Sequence, residues 1–89
     1  MEDWLVAWDD PDDPGGNVAH IAEHGLTPEE VEDVILNSTL DIVESASSGR
    51  SGRFGYTTTG RYILAFWDIA SDDPPVVYPV TAYEVPEPA

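Results

Sequence analysis

The chain has 89 residues, 18 acidic and three basic side chains, a formal charge of −15 and no cysteine. That length holds one domain, which buries only about 60–65% of the surface its unfolded form exposes, with no disulfide or cysteine-based zinc site to reinforce it. Apolar residues at 42% separate it from disordered acidic tails, no apolar run approaches the roughly 18–20 residues that span a bilayer, and the acidic opening MEDWLVAWDD is no secretion signal.

Residues 3–9, Asp3 to Asp9, are aromatic and β-competent, and predict a short first strand or an extended arm. Asp10-Pro11-Asp12-Asp13-Pro14-Gly15-Gly16 is dense in breakers and reads as a loop. Asp10, Asp12 and Gly15 fit positions one, three and six of a calcium loop, but Pro14 and Ile21 at positions five and twelve exclude an EF-hand. Asn17 is expected to cap a short helix reaching His24, with Val18, Ile21 and Ala22 on one side and Gly25 as its stop. Thr27-Pro28-Glu29-Glu30 is a capping box, and Leu26 and Val31 are placed for a hydrophobic staple. Val31, Val34 and Ile35 give this second helix its apolar stripe, which ends at Asn37-Ser38.

The second half changes period. Asp41 to Glu44 reads as a short strand, and Ser45 to Gly52 as a loop of small residues. Arg53–Thr57 and Arg61–Asp68 form a hairpin around Thr58-Thr59-Gly60. Ile63 to Trp67 is apolar without a break, the mark of a central strand buried on both faces. After a turn at residues 71–75, Val76 to Val85 is the last strand, where Pro79 implies a bulge or an edge. The expectation is a single α+β domain: strand and acidic loop over 1–16, helix–Gly–helix over 17–37, sheet over 41–85. Its two N-terminal helices pack on a three- to four-stranded, mainly antiparallel sheet.

Chemistry is sparse. His20-Ile21-Ala22-Glu23-His24 matches the H-x-x-E-H motif of inverted zinc proteases. A chain this short leaves no room for the distant third ligand and the cleft, so His24 reads as a last-turn residue bonding terminal carbonyls. No metal and no cofactor are expected. The glycine-rich segment Ser48 to Gly52 leads into a strand rather than a helix, and there Arg50 is the candidate for holding one phosphate. Arg53 and Arg61 flank the hairpin and are expected to project from one sheet surface. With Tyr56, Tyr78, Tyr83 and Glu84 from the hairpin and last strand they suit RNA cleavage by 2′-OH attack, a base taking the proton and arginine stabilising the developing charge. The opposing reading pairs these arginines with some of the 18 carboxylates.

Trp8-Asp9, then Asn17, then His24-Gly25-Leu26-Thr27-Pro28-Glu29-Glu30-Val31 resembles the opening of BrnT-type toxins, with their WD, helical Asn and KHG-V-x-F-E-E-A. Gly60-Arg61-Tyr62-Ile63-Leu64 resembles that family's G-R-x-L-x-V strand, and Pro79-Val80-Thr81-Ala82-Tyr83 falls where it has I-I-S-A-R. The resemblance spans residues 8–85 and implies a fold similar to the RelE/ParE superfamily. It also implies cofactor-independent endoribonuclease chemistry, a cognate antitoxin as partner and a cytoplasmic setting. Carried over by position, Arg61 matches the family arginine on the apolar strand and His24 the helix-ending histidine; Arg53, Glu84 and Tyr83 complete the candidate catalytic set.

The family is basic where this chain is acidic: Glu23 stands for its usual Lys, and Tyr83-Glu84 for its terminal Arg. RNA affinity draws on such cations through counterion release, with a salt slope of roughly one log unit for each phosphate neutralised. Two functions therefore compete: a toxin-type ribonuclease, which needs a local basic face to hold RNA, and a non-catalytic acidic module. The latter would bind a basic protein or mimic nucleic-acid charge, and neither reading involves a membrane.

Overall fold

The computed structural model describes residues 4–88; Asp3, where the expected first strand begins, and Ala89 lie outside them. The elements are β1 (Leu5–Val6), α1 (Asn17–Ala22), α2 (Pro28–Asn37), β2 (Ile42–Glu44), β3 (Ser51–Tyr56), β4 (Tyr62–Asp72) and β5 (Pro75–Glu84). They build one mixed sheet in the order β1-β5-β4-β3-β2, parallel only at β1–β5. The α+β class and the mainly antiparallel sheet agree with expectation. Five strands rather than three or four is a correction, and the extra one is β1, two residues that pair with Val76 and Val77.

The second helix forms as its local sequence dictates. The Thr27 hydroxyl accepts from the Glu30 amide and the Glu30 carboxylate accepts from the Thr27 amide, closing the capping box over Pro28. Val31, Val34 and Ile35 are buried, joining Leu26 and Ile21 in the core against Ile63, Ala65, Trp67, Val77 and Ala82. Gly25 turns the chain between the helices at φ +76°, a left-handed conformation that favours glycine.

The first helix departs from expectation. It ends at Ala22, short of His24, and Asn17 is its first residue rather than its cap; Gly16 holds the cap position with no side-chain bond. Asn17 is instead 3% exposed and knots three segments together. Its Oδ1 accepts from the Asp9 amide at 2.9 Å, while its Nδ2 donates to the carbonyls of Ala7 at 3.1 Å and Pro79 at 2.9 Å. Asp9 returns the bond, since its Oδ2 accepts from the Asn17 amide at 2.9 Å and also takes the Tyr78 hydroxyl. The helix start is thus capped by a carboxylate eight residues upstream.

β4 is the central strand, as its unbroken apolar run predicts. Ile63, Ala65 and Trp67 point toward the helices, whereas Tyr62 and Leu64 are covered on the opposite face by neighbouring strands' side chains. Phe54 stacks on Tyr62 at 6.0 Å, and Leu64 lies in register between Phe54 and Tyr83. Pro79 marks a bulge, since the register skips Val80 between Trp67–Pro79 and Phe66–Thr81, and it lies beyond the two residues of β5 that β1 covers. The N-terminal arm is held by Trp4 edge-on to Trp67 at 5.8 Å and by the Trp8 indole donating to Glu32 at 2.6 Å.

Asn17→Asp tests the knot. Were Asn17 a helix cap, aspartate would replace it with little change. Here it loses both donors and sets a second carboxylate beside Asp9, leaving buried carbonyls unpaired at about 1–3 kcal/mol each. Thermal unfolding of Asn17→Asp should therefore fall at least as far as that of Asn17→Ala, by roughly 4–8 °C per kcal/mol lost. An Asp variant as stable as the parent would rule the knot out.

Candidate functional site

The chain's three full cations each have a place in the structure. Arg53 is 8% exposed, on the helix side of β3. Its Nη1 donates to the Ile35 carbonyl at 3.0 Å and its Nε to the Leu40 carbonyl at 2.9 Å. Ile35 is among the last residues of α2, where carbonyls lack intrahelical partners and the helix dipole is negative. Arg53 is thus a buried C-terminal cap and not an exposed cation beside Arg61. Strand alternation does put both on the helix side, but they lie at opposite ends of α2.

Arg61 sits at the other end. Its Nη1 donates to the Gly25 carbonyl at 2.5 Å and lies 3.6 Å from Glu30, and its Nη2 lies 3.1 Å from Glu84. Glu30 is the buried member of this group: it also accepts the Thr59 hydroxyl at 2.6 Å. Burial raises its pKa, but the Thr59 hydroxyl, the Thr27 amide and the Arg61 charge together outweigh that and hold it below the usual value. The Tyr78 hydroxyl and the Asn17 amide likewise lower the pKa of Asp9.

Arg50 pairs with Asp68 at 2.9 Å, both half-exposed. With Phe66, Thr81, Tyr83 and the serines of the 45–48 loop it lines a groove of about 270 Å³. The expected phosphate ligand is therefore already matched to a carboxylate.

Of the five candidate catalytic residues, Arg61, Glu84, Tyr83 and His24 gather near one end of the sheet. They form two adjoining pairs rather than one pocket. Tyr83 registers with Leu64 and Glu84 with Ile63, so successive side chains leave opposite faces. The His24 ring lies 6.1 Å from Tyr83, and His20 is edge-on to His24 at 5.5 Å with its Nε2 3.1 Å from the Thr81 hydroxyl. Among the described residues no group of three or more His, Cys, Asp or Glu side chains is arranged to hold a metal.

A different feature is hidden in the sequence. Leu40, Ile42, Val43 and Tyr56 are large apolar side chains left 37–53% exposed, all at the β2 edge of the sheet. The four-residue stretch Asp41 to Glu44 reads as a strand but carries no local sign of which side is covered. Compared with protein-family models, with curated proteins and with solved structures, the chain matches none. No helix among the described residues is long and apolar enough to cross a membrane.

The depressed pKa of Glu30 gives a signed prediction. As pH falls, the unfolded chain takes up this proton first, near the ordinary glutamate value of about 4.3. The stability Glu30 contributes is thus fully present above that value and is lost as pH drops through its lower folded pKa. The stability gap between the parent and Glu30→Gln should be full at pH 7 and narrow progressively as pH falls below the ordinary glutamate value. A gap that stays constant over that range would refute the assignment. Arg53→Lys should cost roughly 1–3 kcal/mol in urea unfolding, since one ammonium cannot replace a fork that spans two carbonyls.

Proposed function

We propose that this chain is a non-catalytic acidic interaction module whose partner is a basic protein. The commitment of its arginines carries the reading. Nucleic-acid binding draws on cations that a phosphate can reach. Here Arg53 caps α2 from the interior, Arg61 faces Glu30 and Glu84, and Arg50 faces Asp68. Exposed carboxylates meanwhile occupy the 10–13 loop, the flanks of β2, the β4–β5 turn and residue 87 of the tail. Such a field attracts and steers a cationic surface and repels RNA. A protein surface built to hold nucleic acid is basic in the same way and belongs to the same partner class.

A second reading, cofactor-independent RNA cleavage of the BrnT type, is favoured by one observation. Arg61, Glu84, Tyr83 and His24 stand near one end of the sheet. It requires Arg61 to leave two carboxylates for a phosphate.

The two readings part in one experiment at low salt. With fluorescent RNA and the parent protein, the module reading expects no cleavage above buffer, and none that Arg61→Ala removes. A hexalysine peptide should bind, and its affinity should fall steeply as salt rises from about 50 to 300 mM, where screening shortens to a few ångströms. RNA cleavage abolished by Arg61→Ala would replace the first reading with the second.

A further inference from the structure

The interaction reading leaves open which surface does the binding, and the β2 edge answers it. β2 is the outermost strand of the sheet, paired on one side with β3 through Ile42–Arg53, Val43–Gly52 and Glu44–Ser51. Among the described residues, the backbone groups of its other side meet no further strand. Ile42 is 42% exposed and Val43 37%, and Leu40 and Tyr56 beside them are 44% and 53% exposed. A groove of about 370 Å³ adjoins this edge, lined by Ser38, Leu40, Tyr56, Tyr62 and Pro88. Four of the six large exposed apolar side chains among the described residues thus share one edge.

The charges along the strand say what fits. Asp41-Ile42-Val43-Glu44 places an acid at each end of an apolar pair. By strand alternation Asp41 and Val43 leave one face, Ile42 and Glu44 the other. A strand laid against this edge would meet its own residues directly opposite these four. Apolar residues are favoured opposite Ile42 and Val43, and cations opposite Asp41 and Glu44. A second copy of the chain fails this test wherever its apolar pair is set against this one. Antiparallel, it sets Asp41 against Glu44; parallel, it sets each acid against itself, and both arrangements oppose like charges.

Resting on the acidic-module reading above, we propose that β2 is a docking edge for an extended segment of a basic partner protein. The segment adds a strand to the sheet through a basic–apolar–apolar–basic core. Main-chain pairing supplies the affinity of such an added strand, and the four side chains its selectivity. The apolar pair between the cations, and not net charge alone, decides binding.

Two blocked hexapeptides of equal charge test this, Thr-Lys-Val-Val-Lys-Thr and Thr-Lys-Ser-Ser-Lys-Thr, titrated by NMR and calorimetry against the parent protein, Ile42→Glu and Ile69→Glu. Ile42→Glu adds an acid, so a purely electrostatic contact strengthens while strand docking weakens. Ile69 is 54% exposed and lies away from β2, so its variant carries the same added charge as a control. The valine peptide should bind the parent about tenfold tighter than the serine peptide, with that advantage lost in Ile42→Glu and kept in Ile69→Glu. Equal affinity for both peptides, unmoved or raised by Ile42→Glu, overturns the docking edge while leaving the acidic module standing. Binding of neither peptide, with hexalysine also inert, removes the module reading itself. A dimer of the parent at low salt that Ile42→Glu dissolves would assign the edge to a second copy and overturn the basic occupant.

Discussion

The rest of the structure depends on the knot between Asn17, Asp9 and β5. A buried amide must find partners for both its donors and its acceptor, and Asn17 finds them in the arm at Ala7 and Asp9 and in β5 at Pro79. One of these is the Pro79 carbonyl, beside the bulge at Val80 and beyond the two residues that β1 covers. Proline cannot donate to a ladder, the bulge interrupts pairing, and the asparagine takes up the carbonyl left over. The Ala7 carbonyl and the Asp9 amide are held by the same side chain, which fixes the arm that carries β1. A two-residue parallel pairing is too small to hold itself in place, and Asn17 ties its far end while Trp4 and Trp8 anchor the same arm by their side chains.

Charge explains a second layer. With 18 acids and three arginines, the compact state works against its own repulsion. Two of the arginines stand where buried polar groups need a partner. Arg53 satisfies carbonyls at the end of α2, and Arg61 joins the α1–α2 turn to the buried Glu30 and to the end of β5. An arginine held by two divergent carbonyls inside a small domain is a structural element first. Its scarcity does not make it a catalytic residue.

How much of this is legible in the sequence varies with the range of the interaction responsible. The capping box at Thr27 and Glu30, the left-handed Gly25 and the central strand from Ile63 to Trp67 follow from residues within a few positions of one another. Asn17 misleads because Asn before a helix is ordinarily a cap, and its partners lie up to 62 positions away. β1 is legible as a strand or arm but not as the fifth strand, since its register with Val76 and Val77 is set by tertiary packing. At the candidate site, strand alternation already separates Tyr83 from Glu84. The burial of Arg53 is not legible, because nothing local reveals that α2 ends beneath it.

The acidic surplus acquires a more specific meaning at the β2 edge. Exposed sheet edges invite pairing with further copies, and small domains commonly blunt them by shortness or by charge. β2 has both: three residues of strand, with Asp41 before Ile42 and Glu44 as its last residue. Against another copy with its apolar pair in register these acids repel, which disfavours that pairing. Against a strand with cations at the matching positions the same acids attract, and the apolar pair then finds cover. Under the docking proposal, one four-residue pattern would bear on self-pairing and partner choice together, which a uniformly acidic surface could not do. A charge of −15 favours cationic surfaces in general; in the proposed docking, its arrangement along this edge is what would discriminate among them.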